Sequence, residues 1–146
     1  MEIKRRDMGL LLPALAAAKA AAQPQSKTVL PSKCFKYEEM PVKPNGANRQ
    51  RAVLNGATHG GFGVEAHLTE LGPGMAPHAP HHHAHEELVL LQSGTLDVTI
   101  SGKTTRLTPG SVAFVASNEE HGWKNASTTE RAQYFIVTLG RDATAA

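Results

Sequence analysis

From Ala52 onward the chain is a succession of short apolar and β-branched runs cut by Gly, Pro and Asn. The runs fall at 52–54, 63–71, 88–91, 95–100, 104–107, 112–115 and 132–139. Some alternate and some are apolar throughout, as in Val98-Thr99-Ile100 and Phe135-Ile136-Val137-Thr138, and each has strand rather than helix length. Ser93-Gly94 and Ser101-Gly102 stand between runs, where hairpin turns require residues that tolerate positive φ. No segment after residue 33 sustains a helical period, and there is no internal repeat. Many short strands spaced by turns predict an all-β sandwich or barrel.

The first 22 residues follow another rule. Lys4-Arg5-Arg6 leads into the apolar stretch Leu10-Leu11-Leu12-Pro13-Ala14-Leu15, then small residues end in Ala20-Ala21-Ala22 before Gln23. This is the three-part layout of a secretory signal. The stretch is too short to span a bilayer and is interrupted by Lys19, so no stable membrane anchor is expected. Arg5-Arg6 resembles the pair of a bacterial twin-arginine signal. The expectation is an exported protein, periplasmic or secreted, with a signal at 1–22, a polar arm at 23–33 and one folded domain at 34–146.

Composition narrows the function classes. A chain of 146 residues supports one core of ordinary size. The formal charge of +2 belongs to the leader, since residues beyond it carry 11 basic and 11 acidic side chains. A neutral body has no electrostatic footprint for nucleic acid. The single cysteine, Cys34, excludes an intrachain disulfide and a cysteine-built zinc site, and it is expected to be a part-buried apolar residue.

Five of the eight histidines crowd into 78–85, followed by Glu86 and Glu87. Imidazoles and carboxylates together suit divalent ions of borderline to hard character. On an extended segment His81 and His83 share a face while His82 points away. Glu87 has the same parity but would stand about 20 Å from His81 on a straight strand, so the chain must bend near 84–86 for both to reach one ion. Glu87 also opens the apolar run Leu88-Val89-Leu90-Leu91, where an unpaired carboxylate carries a heavy desolvation cost and an ion would supply its partner. His78 and His82 fit a surface role better. His85 fits one too, or the orientation of a ligand.

Here the sequence resembles the cupins. The stretch His81-x-His83-x3-Glu87-x6-Gly94 matches their first motif, with the leading Gly74 one residue further away than the pattern asks. The second motif is looser: Gly102, Pro109-Gly110, His121 and Asn125 follow its order with altered spacing, and His121-x3-Asn125 is intact. The resemblance implies a small double-stranded β-helix, that is, a jelly-roll barrel. It implies that His81, His83, Glu87 and His121 hold one divalent transition metal ion (Mn, Fe, Ni, Co or Zn), that Asn125 closes the turn after His121, and that the protein forms a homodimer through sheet edges. Pocket walls are expected from Val89, Leu91, Phe114, Trp123 and Tyr134. His67 is read first as a structural histidine.

Such a site favours a metal-dependent enzyme of dioxygenase, decarboxylase, isomerase or lyase type acting on a small oxygenated organic molecule. The alternative is a non-catalytic periplasmic barrel that binds a ligand or metal. A transcription regulator would need an appended helical DNA-binding domain, which the pattern lacks.

Overall fold

In a computed structural model the described residues are 28–141. The leader at 1–22 and the first part of the arm lie outside them. The elements are a 3-10 turn at Tyr37–Glu39 and nine strands: β1 Lys43–Asn45, β2 Asn48–Ala57, β3 Gly63–Leu71, β4 Glu86–Ser93, β5 Leu96–Ile100, β6 Lys103–Leu107, β7 Val112–Val115, β8 His121–Asn125 and β9 Ala132–Gly140. All pairings between them are antiparallel. Six strands form one sheet in the order β1-β2-β3-β9-β4-β7, and three form another in the order β6-β5-β8. This is the jelly-roll expected from the sequence. No helix among the described residues is long and apolar enough to cross a membrane.

The seven predicted runs correspond to β2–β7 and β9, whereas β1 and β8 are additional. β8 reads His-Gly-Trp-Lys-Asn, and Gly, Lys and Asn are depleted in strands. Tertiary pairing overrides that preference. Backbone partners run from Leu96↔Asn125 to Ile100↔His121, and a further bridge joins His121 to His81, with His81 N to His121 O at 3.0 Å and His121 N to His81 O at 2.9 Å.

The core lies between the sheets. Leu71, Val89, Leu91, Ala132, Tyr134 and Ile136 come from the larger sheet, and Leu96, Val98, Leu107 and Trp123 from the smaller. β9 shows the period of two directly: Ala132, Tyr134, Ile136 and Thr138 are buried and the residues between them less so. In the β5–β6 hairpin, Ser101 (φ 46°) and Gly102 (φ 78°) both take positive φ, which a two-residue type I′ turn demands. Gly94 also has positive φ, and a Cβ there would stand 2.5 Å from the Arg131 carbonyl oxygen. The arm joins the fold ahead of Cys34, because Thr28 and Leu30 exchange backbone hydrogen bonds with Ala57. Cys34 itself is exposed rather than part-buried.

Candidate metal centre

The segment between β3 and β4 makes the bend that Glu87 requires. The paired hydrogen bonds of His81 fix one end against β8. Beyond them, Asn118 N donates to His83 O (2.8 Å) and Ser117 Oγ to Ala84 O (2.7 Å). Glu87 then enters β4 facing inward, opposite Val115 on β7 and Thr138 on β9.

This path brings His81, His83, Glu87 and His121 together. Glu87 Oε1 lies 3.2 Å from His83 Nε2, and Oε2 lies 3.2 Å from His121 Nε2. Ligand atoms of His81, His83 and His121 all lie within 4.8 Å of one another. Six buried side-chain polar atoms lack a hydrogen-bond partner among the described residues. Four of them are His81 Nδ1, His83 Nε2, Glu87 Oε2 and His121 Nε2. Buried polar groups are seldom left unpaired, and four converging orphans suit a cation that all of them ligate.

Tautomers follow from the outer contacts. His83 Nδ1 lies 2.9 Å from the carbonyl of His85, and His121 Nδ1 lies 2.8 Å from that of Glu119. A carbonyl only accepts, so each Nδ1 carries the proton and each Nε2 turns a lone pair inward, as metal-ligating histidines are commonly held. Burial, with His78, His121 and His83 nearby, keeps the His81 pKa below its ordinary value, which favours the neutral, ligating form.

His85 is more involved than a surface reading allows. It is 7% exposed, its ring stacks on His83 with centroids 3.5 Å apart, and its Nε2 lies 3.6 Å from Glu87 Oε1. His83, His85 and Glu87 form a second group with metal-ligand spacing. His82 is exposed. His78 is exposed too and meets His81 edge-on, with centroids 4.3 Å apart.

The histidine and glutamate cluster opens into a cavity of about 650 Å³. Trp123 and Tyr134, expected as walls, line it. The Trp123 ring lies 5.8 Å from His121 and 5.7 Å from Tyr134, and burial pushes the Tyr134 phenol up to about 12. Val89 and Leu91 point inward but are fully buried in the core, away from the cavity surface. Phe114 is misplaced by the sequence reading. It lies on the outer face, 59% exposed, because Val115 rather than Phe114 shares the register row of Glu87. The run Val-Ala-Phe-Val has no polar position to show which face is buried.

Three wall residues escaped the sequence reading in their role. On β3, Glu65, His67 and Thr69 face the cavity, with His67 Nδ1 3.1 Å from Glu65 Oε1. The His67 hydrogen bond holds the Glu65 carboxyl below the usual range, against the opposing effect of burial. Here the polar half of an alternating strand lines the interior, the reverse of the usual rule for a half-buried sheet. At the mouth stand Lys43, Asn45, Arg49 and Gln50. Asn125 is buried and structural: Nδ2 donates to Gly72 O (3.0 Å) and Glu130 O (2.8 Å), and Oδ1 accepts from Ser127 N (3.0 Å).

Comparison with known proteins agrees with this architecture. Residues 67–138, from His67 on β3 to Thr138 on β9, match the family model described as the cupin domain. The chain carries a cupin domain. Among solved structures, this cupin is similar to KdgF from a Halomonas species, with 18% identity and a TM-score of 0.65 over 76% of this chain and 96% of that one. It is also similar to an RmlC-like cupin from Shewanella frigidimarina NCIMB 400, with 17% identity and a TM-score of 0.63 over 79% and 94%. A third is a Thermotoga maritima protein described as a predicted oxalate decarboxylase, with 15% identity and a TM-score of 0.63 over 74% and 99%. Identities this low speak to the fold. No curated protein matches the sequence.

Proposed function

We propose that this cupin is a mononuclear metal-dependent enzyme acting on a small oxygenated organic molecule. The observation that carries the reading is the convergence of four unpartnered buried donors, from His81, His83, Glu87 and His121, at a cavity large enough for a small molecule. Three imidazoles and one carboxylate suit a borderline divalent ion, and six-coordinate ions would keep positions for other ligands. Such an ion would supply Lewis acidity to an oxygen of the bound molecule. The chain's own residues do the rest. The His85 and Glu119 carbonyls orient His83 and His121, and Trp123 and Tyr134 give the cavity an aromatic wall. The likeness to a protein described as a predicted oxalate decarboxylase supports a chemistry of small oxygenated acids.

The test loads purified, untagged protein with Mn, Fe, Co, Ni or Zn. It then screens 2-hydroxy acids, 2-oxo acids, dicarboxylates and phenols for oxygen uptake, carbon dioxide release and isomerisation. Metal-dependent turnover that disappears in His121→Ala is the expected result. Stoichiometric metal with ligand binding but no turnover would replace the enzyme with a binding barrel. The layout of residues 1–22 supports export, and N-terminal sequencing of secreted protein should begin near Gln23; an uncleaved cytoplasmic chain would contradict that proposal.

A further inference from the structure

The β3 wall holds a carboxylate–imidazole pair that metal binding does not use. Glu65 and His67 share the inward face of β3, two residues apart, and their side chains are only 22% and 16% exposed. The ionised carboxylate only accepts, so His67 Nδ1 donates to it at 3.1 Å. Nδ1 is therefore occupied, while Nε2 has no hydrogen-bond partner among the described residues and sits on a side chain that lines the open cavity. The pair also faces the metal centre. Glu65 and Glu87 occupy one row of the sheet on either side of Thr138, so their Cα atoms are about 10 Å apart, two strand spacings. All three residues line the cavity, and His67 stands in the row of Ile136 and Val89. A satisfied structural histidine would have both ring nitrogens engaged or buried. This one is anchored at one nitrogen and open to the cavity at the other, as a general base must be.

We propose that His67 is the proton-transferring group of the cavity, with Glu65 as its positioning residue, and that the molecule it acts on carries an acidic C–H next to a carbonyl, as 2-oxo acids do. The inference rests on the metal-centre reading. His67 Nε2 takes the proton from that carbon, and the C–H electron pair moves into the carbon–carbon bond as the carbonyl pair withdraws to oxygen. The imidazolium is stabilised by the Glu65 carboxylate. The proton then returns to the same or a neighbouring atom, so the step needs no oxidant or reductant.

The experiment uses the full zinc-loaded chain in D2O with pyruvate as probe. Loss of pyruvate methyl protons is followed by NMR, pyruvate affinity by calorimetry and zinc by elemental analysis. A 15N imidazole spectrum of the metal-free protein supplies a readout independent of turnover. We expect exchange in the wild type above that of free zinc. His67→Gln should slow it by about 100-fold or more, with pyruvate affinity and zinc content within about twofold of wild type. Glu65→Gln, which keeps the ring, should lower the exchange rate at saturating pyruvate without weakening pyruvate binding. The imidazole spectrum should show a His67 Nδ1–H in the wild type that shifts in this variant. Exchange undiminished in His67→Gln, or absent from a zinc-loaded wild type, overturns the proposal while leaving the metal centre standing. A wild type that binds no zinc fails the metal-centre reading and the inference with it.

Discussion

Replacing His121 with Ala separates the metal's contribution from that of the fold. His121 is 1% exposed, and its Nε2 is one of the four converging orphans. Its backbone pairs with Ile100 and His81, contacts that Ala retains. Among the described residues the imidazole's only hydrogen bond is to Glu119 O, worth about 1 kcal/mol net. Removing the ring strands the Glu119 carbonyl and leaves a void beside Trp123, which should cost the apo fold about 2–4 kcal/mol whether or not metal is present. Metal-dependent stability behaves differently. An ion present at a hundred times its Kd stabilises the wild type by about 2.7 kcal/mol, roughly 10 °C in Tm for a domain of this size. Loss of a direct ligand should exceed the roughly 10–100-fold affinity cost typical of an orienting group, enough to abolish that shift at the same concentration. Thermal melts with and without Mn, Co or Zn, in wild type, His121→Ala and His82→Ala, make the comparison. The shift should vanish in His121→Ala and persist in His82→Ala. A full shift in His121→Ala, or equal losses in both variants, would refute the ligand assignment.

Three further outcomes follow. Because burial holds the pKa values of His81 and His85 below the ordinary imidazole value, the unfolded chain binds more protons than the folded one once pH falls below about 6.5. Apo stability should therefore be full above that pH and decline as pH falls toward the lower folded-state values, and denaturant melts between pH 7.5 and 5.5 with a flat profile would contradict this. Asn125→Ala strands the Gly72 and Glu130 carbonyls and the Ser127 N–H, and should cost about 2–3 kcal/mol in chemical denaturation, whereas a loss under 0.5 kcal/mol would deny Asn125 its structural role. Val112 and Phe114 on the edge strand β7 are 53% and 59% exposed, and we propose that they form the seam of the homodimer that the cupin resemblance implies; sedimentation should give a dimer for the wild type and a monomer for Phe114→Lys, and a monomeric wild type would remove that proposal.

The strands that the sequence reveals are those whose apolar residues are also good strand formers. β9 shows its position, but its buried face carries Thr138 while Phe135 and Val137 lie on the other, so the run does not reveal which side faces inward. β7 shows its position only, so Phe114 fell on the wrong side. β8 stayed hidden because its residues serve the site: His121 turns Nε2 toward Glu87, Gly122 packs close against Pro80, and the Asn125 side chain makes four hydrogen bonds. The candidate ligands were legible because His81, His83 and Glu87 lie close together in sequence. The Glu65–His67 pair was not, since strand alternation alone does not say whether a barrel interior is filled with apolar side chains or lined with polar ones. Its meaning appears only when Glu87, two strands away, is seen to share its row.

Anomalous diffraction from crystals soaked in Co or Mn tests the central claim most directly. One peak is expected within about 2.0–2.3 Å of ligand atoms from His81, His83, Glu87 and His121. A peak held instead by His83, His85 and Glu87 without His121, or none inside the cavity, would contradict it.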